Sequence, residues 1–400
     1  MSKSAKKETK ITEVSEHTVE IITNSGEGAQ KCAQIFGQTC AKMGNGVWTV
    51  EIIPAEIEPP HHTVTSTSGN IIRFGTEKIT NWGDQSKLAI AFIEQVLLSR
   101  HRLESLDDNC IILQESMWED HEDELIRKNY ADAMEEMSSK NYRFISVPIE
   151  EEALKVVTNP SHGKNMFALG LLAEIYQRDL SIIEKQIANI FRFKSQKVID
   201  LNIQLVKNGM AWARENLDFQ FDLPSVPATE ERLVMNGNQA CALGSIAAGM
   251  ELCSMYPITP ATSVSHELAE FIENYGGIVH QAEDEIAAAG VAIGASYAGK
   301  VALTVTSGPG MALKTEFLAL AIMTEVPLVV LDVQRGGPST VLPTKVEQSD
   351  LLSSLYGQPG DAPHVVIAPR SIEECFHSMV TARRIAETFR TVVIVLTDAN

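Results

Sequence analysis

Residues Lys300–Phe317 read KVALTVTSGPGMALKTEF, and the order of chemistry inside that stretch decides the fold. A run of β-prone apolar residues ends at Ser307, the Gly308-Pro309-Gly310 triplet breaks it, and a helical pattern follows. An apolar strand feeding a helix is the repeating piece of a parallel sheet covered on both faces. The same alternation continues on either side. IVHQA, PLVVLDVQ and HVVIAP are further short apolar runs, and the small-residue stretch GNQACALGSIAAGMELC reads as a helix. The second half of the chain is therefore expected to be an α/β domain built on a parallel sheet.

The first half repeats the theme more loosely. HTVEIITNSGEGAQKCAQIFGQTCAKMG reads as strand, glycine turn and helix, and VWTVEII then supplies the next strand, as a βαβ unit requires. NIIRFGT and NCIILQ are further strands, with a helix at SKLAIAFIEQVLLS between them. From residue 159 to 216 apolar residues recur at three and four, which predicts a run of amphipathic helices. LDFQFDLPSVPATEE has prolines, acids and no periodicity, so it reads as a linker. The expected organisation is a disordered tail over 1–17, an α/β domain with a helical extension over 18–215, a linker over 216–232 and a second α/β domain over 233–400. The chain ends on TVVIVLTDAN, directly after a strand, so a following domain is expected to be missing.

Composition narrows the function. The chain is 44% hydrophobic and 21% charged, with a formal net charge of −19. That sign excludes phosphate-backbone binding as a general role, so nucleic acid is not an expected partner. IAAAGVAIGASYAG is too short to span a membrane and reads as a buried helix, and MSKSAKKETK lacks the apolar core of a signal peptide. A soluble cytoplasmic protein is expected. The six cysteines (Cys32, Cys40, Cys110, Cys241, Cys253, Cys375) form no C-x-x-C and read as free buried thiols, with no set fit to hold an iron–sulfur cluster. His61 and His62 adjoin in a loop without a third ligand, so they read as surface residues and no metal site is expected.

Ligands of open α/β sheets bind beyond the carboxyl ends of the strands, and four stretches would lie there. In Tyr256-Pro257-Ile258-Thr259-Pro260, Thr259 reads as an N-cap with Pro260 opening a helix, which leaves Pro257 unexplained; the other reading is a rigid loop that holds a ligand. After Thr306 and Ser307, Gly308 opens a turn that is either only tight or a place where backbone N–H groups meet an anion or a polar ring. Arg335 follows a strand and precedes two glycines, so its fork can grip a carboxylate or pair with a neighbouring acid. Glu283 and Asp284 suit the first turn of a helix, whereas Glu285 sits deepest, against Ile286 and alanines. A carboxyl in such surroundings has its pKa raised by desolvation and can share a proton with a ligand nitrogen. In the first half, Gly26 and Gly28 supply two glycines of a phosphate-type turn whose third place is Lys31, a weak fingerprint.

Taken in order, ALGSIAAGMELCSMYPITP, QAEDEIAAAGVAIGASYAG, TSGPGMALKTE and DVQRGGPSTVLPTKVEQSDL resemble the α subunit of 2-oxoacid:ferredoxin oxidoreductases. VEIITNSGEGAQ through NMFALG resembles the γ domain of the same enzymes, and its fusion ahead of the α domain is similar to the 2-oxoglutarate type. The resemblance implies a thiamine diphosphate enzyme whose α domain holds the pyrimidine end of the cofactor, with Tyr256, Pro257, Ile258, Thr306, Ser307 and Gly308 around it. A partner β subunit would hold the diphosphate, Mg2+ and a [4Fe–4S] cluster. Glu285 would face the pyrimidine N1′, while Thr259 and Arg335 would hold the substrate's carbonyl and carboxylate. Coenzyme A would take the acyl group, with the γ domain and its Gly26 and Gly28 implicated in binding it. Ferredoxin would take the electrons, in a dimer of heterodimers. The implied reaction is oxidative decarboxylation of 2-oxoglutarate to succinyl-CoA, or its reverse. The alternatives are the same chemistry on pyruvate or a branched-chain 2-oxoacid, and a non-catalytic CoA- or nucleotide-binding module.

Overall fold

The computed structural model describes residues 9–54, 62–159, 162–227, 231 and 233–399, and its chain divides into two units at Val234/Met235. In the first unit, β1 (Lys10–Glu13), β2 (Glu16–Asn24), α1 (Ala29–Lys42), β3 (Gly46–Ile52) and β4 (Thr67–Gly75) come in turn. β5 (Ser86–Ala91), α2 (Glu94–Arg102), β6 (Leu106–Glu115), α3 (Glu124–Met137) and β7 (Arg143–Val147) complete the sheet. α4 (Ile149–Leu154), α5 (Lys164–Ile175), α6 (Leu180–Ile190), α7 (Gln196–Asn216) and β8 (Phe219–Asp222) form the helical extension and its end.

Among the described residues the first sheet runs β3-β4-β2-β5-β6-β7. The apolar run of β2 is buried from His17 to Asn24, which is why it takes the interior of the sheet. β4 lies antiparallel between β2 and β3, so the strand-helix-strand unit read from the sequence exists with another strand inserted into it. α5 is buried along nearly its whole length, and it crosses α7 where Gly170 meets Gly209. A Cβ on Gly170 would collide with the Val206 carbonyl, and one on Gly209 with that of Phe167. The two backbones touch because neither residue carries a side chain.

Four sequence expectations change here. Ser86–Ala91 is not the start of a helix but strand β5, paired parallel with β2 and β6, and the helix begins at Glu94. Lys10–Glu13 is not tail: β1 pairs parallel with β8, and His17 is buried in β2. Phe219–Asp222 is not linker: Phe219 and Leu223 are buried, and Phe221 stacks on Tyr176. Prolines and acids around the short FQF alternation concealed that strand. His62 is not a surface residue, since its Nε2 lies 2.8 Å from Glu94 Oε1 and its ring packs on Trp118. His61 falls outside the described residues.

The second unit contains α8 (Gly237–Ala247), β9 (Leu252–Met255), α9 (Thr262–Phe271), β10 (Ile278–Gln281), α10 (Glu285–Tyr297) and β11 (Ala302–Thr306). α11 (Gly308–Met323), β12 (Leu328–Gln334), α12 (Leu351–Tyr356), β13 (Val365–Ile367), α13 (Ile372–Phe389) and β14 (Val392–Asp398) follow. Its strands are all parallel, in the order β10-β9-β11-β12-β14-β13 among the described residues. Both sheet faces are covered, and β12 shows how: Val329, Leu331 and Val333 pack in the cluster shared with α8, α9 and α13, while Leu328 and Val330 pack in the cluster shared with α10 and α11.

Chain order and spatial order part company at β9. From β9 the chain goes outward to β10, and from β11 it goes the other way to β12. The carboxyl ends of β9 and β11 therefore flank a topological switch point, where loops diverge and leave a crevice. Among the described residues no helix is long and apolar enough to cross a membrane. The run expected to be a buried helix is α10, and it is buried on one face only: Ile286, Val291 and Tyr297 are exposed. Leu313, Leu320 and Met323 on α11 are exposed as well. Small residues along both helices let them pack closely on their inner side, so the large apolar groups are left outward.

Candidate active site

The loop after β9 carries Tyr256, Pro257, Ile258 and Thr259. Thr259 does not cap the helix that follows; α9 begins at Thr262, after Ala261. Instead the Thr262 hydroxyl accepts from the Ile258 N–H at 2.8 Å and fixes the loop from the helix side. Ile258 packs against the core, whereas Tyr256 is partly exposed. The Thr259–Pro260 peptide is cis. The Thr259 carbonyl accepts a hydrogen bond from Arg335 Nη1 at 2.8 Å, which joins the loop after β9 to the loop after β12.

Arg335 is buried, and its Nε has no hydrogen-bond partner among the described residues. Burial pushes the guanidinium below its ordinary pKa, while Asp350 and Glu285 act in the opposite sense. Two acids thus face the arginine, one on each side of the switch point.

Glu285 is the first residue of α10, with Asp284 as its N-cap: the Asp284 carboxylate accepts from Ala287 N–H at 2.7 Å. Glu283 lies outside the helix, so of the three consecutive acids one precedes, one caps and one enters it. The Glu285 side chain is 9% exposed and lies against Gly310 of α11. A Cβ added at Gly310 would stand 2.9 Å from Glu285 Cγ and would strike the Thr306 hydroxyl. Gly310 is thus required by the approach of the carboxyl group.

At the start of α11 the structure departs from the sequence reading. The Gly308 N–H donates to the Asp350 carboxylate, so an acid of this chain already occupies the end of the helix that would attract an anion. Burial raises the Asp350 pKa, against hydrogen bonds from the Ser349 hydroxyl and the Gly308 N–H. Thr306 and Ser307 remain: both hydroxyls are fully buried and without hydrogen-bond partners. With the Gln334 amide oxygen and Arg335 Nε they make a set of orphaned polar atoms at one sheet edge. Such atoms are costly unless something polar completes them. The set suits a neutral ring carrying both donors and acceptors better than a phosphate.

Three groups escaped the sequence reading. Lys314 of α11 is fully buried, and its Nζ donates to the Glu285 backbone carbonyl at 2.9 Å. Asp332 of β12 is fully buried, and neither carboxylate oxygen has a hydrogen-bond partner. Burial drives its pKa well above the ordinary value, Asp350 adds to this, and Lys314 opposes it. Asp350 is the third. Asp332 was detectable as the one charge inside LVVLDVQ; Lys314 and Asp350 gave no signal, because charges in helices and loops are ordinarily solvated.

The structure brings Thr259, Glu285, Thr306, Ser307, Gly308 and Arg335 to one edge of the second sheet. Gly26 and Gly28 belong to the first unit. Both have positive φ, and Gly28 precedes α1, where a Cβ would strike the Asn165 side chain. Glu27 between them accepts from the Asn24 N–H at 2.8 Å and pairs with Lys164. A depression lined by Gly299, Lys300, Pro327 and Arg383 lies toward the opposite ends of the second unit's strands and holds none of the candidate residues.

Residues 243–400 match the family described as pyruvate flavodoxin/ferredoxin oxidoreductase, thiamine diphosphate-binding, and residues 19–212 match that described as pyruvate ferredoxin/flavodoxin oxidoreductase. The chain is 35% identical over 397 residues to the 2-oxoglutarate oxidoreductase subunit KorA of Mycobacterium tuberculosis, covering 94% of this chain and 59% of that one. It is 46% identical over 170 residues to the 2-oxoglutarate synthase subunit KorA of Methanothermobacter marburgensis, covering 42% of this chain and 45% of that one. A solved 2-oxoglutarate:ferredoxin oxidoreductase from Magnetococcus marinus, with 2-oxoglutarate, coenzyme A and succinyl-CoA bound, superposes with a TM-score of 0.82 at 32% identity. That likeness covers 96% of this chain and 64% of the solved one, so the chain spans roughly two thirds or less of each relative.

Proposed function

Because residues 19–212 and 243–400 match two families of pyruvate ferredoxin/flavodoxin oxidoreductase domains, we propose that this chain is the fused γ–α subunit of a 2-oxoglutarate:ferredoxin oxidoreductase. The reaction is CoA-dependent oxidative decarboxylation: 2-oxoglutarate and CoA give succinyl-CoA and CO2, and the electron pair passes to ferredoxin. The observation that carries the reading is Glu285, a nearly buried carboxyl pressed on Gly310 at the switch-point edge, with Arg335 and orphaned hydroxyls around it.

Thiamine diphosphate, when bound, supplies the carbon nucleophile and the electron sink of the decarboxylation. The second unit's residues fit its pyrimidine end. Glu285 would hold the proton at the ring's N1′, and the unpartnered Ser307 and Thr306 hydroxyls would serve the ring's polar edge. Arg335 keeps one arm on the Thr259 carbonyl and has Nε free for the 2-oxoacid carboxylate. The diphosphate, Mg2+ and a [4Fe–4S] cluster are assigned to a partner β subunit. The exposed apolar residues of α10 and α11 give that partner a face to cover. The first unit is the γ-type domain that receives CoA, with Gly26 and Gly28 in its first turn.

Co-expression with the β subunit, followed by assay of each 2-oxoacid with a reducible acceptor, tests the reading. It requires 2-oxoglutarate to be the best substrate; a preference for pyruvate or a branched-chain acid overturns the specificity. E285A is expected to lose several orders of magnitude in rate, in the range that acid–base and cofactor activation contribute. An E285A complex with native activity leaves only a binding module.

A further inference from the structure

The Lys314 ammonium is hard to explain as a stabilising feature. It lies fully buried on α11, and its one hydrogen bond among the described residues goes to the backbone carbonyl of Glu285, at 2.9 Å. That carbonyl already belongs to the first turn of α10, so Lys314 is an additional donor to it. The amino end of a helix repels a cation, and burial disfavours the charge further. Burial lowers the Lys314 pKa to about 8, against the attraction of Glu285, Asp284, Asp332 and the Cys253 thiol. A Met in its place would fill the volume without these costs.

What the contact does accomplish is geometric. Glu285 hangs from the first residue of α10, where a helix is least constrained. Its side chain is limited on one flank by Gly310, which is on the same helix as Lys314. α11 therefore holds Glu285 twice, by its backbone through Lys314 and by its side chain at Gly310. Asp332 of β12, fully buried with both oxygens unpartnered, is held toward its neutral form by burial, so the ammonium has no full countercharge from the sheet.

We propose that Lys314 is a positioning residue for Glu285, locking the first turn of α10 so that the carboxyl faces the ring nitrogen it is to protonate. The proposal rests on the role given to Glu285 above.

The test uses the complex assembled with its β subunit and thiamine diphosphate. It compares wild type, K314M and E285Q by melting temperature, by kcat and KM for 2-oxoglutarate, and by the near-ultraviolet circular-dichroism band of the cofactor's imino tautomer. K314M is expected to melt at or above the wild-type temperature, keep KM within about twofold, lose kcat by roughly 10- to 100-fold, and weaken the tautomer band. Native kcat with a native band overturns the proposal. If K314M does not assemble, K314M/D332N, which removes the buried ammonium and the buried carboxyl together, is measured instead. If neither assembles, Lys314 is a folding residue and the proposal falls. E285Q separates the two claims: a native tautomer band in E285Q sinks the role of Glu285, whatever K314M does.

Discussion

Arg335 Nη1 donates to the Thr259 carbonyl at 2.8 Å, across a sequence separation of 76 residues. One bond joins the loop after β9 to the loop after β12 and leaves Nε of the same guanidinium unpartnered. The arginine is thus a strut whose unpartnered Nε is the group proposed to meet the substrate carboxylate.

R335K keeps the charge and cannot do both. Losing one charged hydrogen bond is worth about 1.5–3 kcal/mol, so kcat/KM for 2-oxoglutarate should fall roughly 10- to 100-fold. Steady-state kinetics of the assembled complex check this; an unchanged KM together with an unchanged kcat would remove Arg335 from the site.

G310A puts a methyl group 2.9 Å from Glu285 Cγ. Overpacking of this kind costs about 1–3 kcal/mol of stability. The activity should drop by more than that cost explains, because the displaced atom belongs to the carboxyl proposed to serve the cofactor ring. Melting temperature and turnover measured on one preparation separate the two effects.

His17 gives the first unit an acid-sensitive stability. Burial lowers its pKa to about 4, Lys87 adds to the effect, and Asp107 opposes it; the ring also hydrogen-bonds the Tyr176 hydroxyl. The unfolded histidine titrates near 6.5, so between about 6.5 and 4 the unfolded state binds the extra proton. Stability from this group is therefore full above about pH 6.5 and is lost as pH falls toward 4, by on the order of 3 kcal/mol. Urea unfolding across that window should show the slope, and H17Q should flatten it.

Glu20 and Arg100 form a buried pair, with Arg100 Nε donating to Glu20 Oε2 at 2.8 Å and the Ser86 hydroxyl donating to Oε1 at 2.9 Å. E20A leaves the guanidinium buried and alone, at a cost of about 3–5 kcal/mol. E20M/R100M should recover most of that loss. A double variant as unstable as E20A would refute the charge argument.

The parallel sheet of the second unit could be read from runs such as KVALTVTS and PLVVLDVQ, since a strand buried on both faces has no room for alternation. The candidate site was legible where loop chemistry was unusual, as at Thr259, Ser307, Glu285 and Arg335. It was illegible where the decisive group came from far away. Nothing in VEQSD says that Asp350 reaches the first N–H of α11, and a lysine in MALKTEF reads as solvated until the fold buries it. The short strands β1 and β8 were hidden because each is defined by the other, 209 positions apart between Lys10 and Phe219.

The switch-point edge draws Thr259, Glu285, Ser307 and Arg335 from the ends of four different strands of one sheet, β9, β10, β11 and β12. The proposed activity would therefore need all four strands in one folded unit. A cut after β11 would part Glu285 from Arg335, and neither piece would keep a weakened version of the chemistry. Inactivation should accordingly be all or none, tracking the cooperative melting of the second unit rather than preceding it.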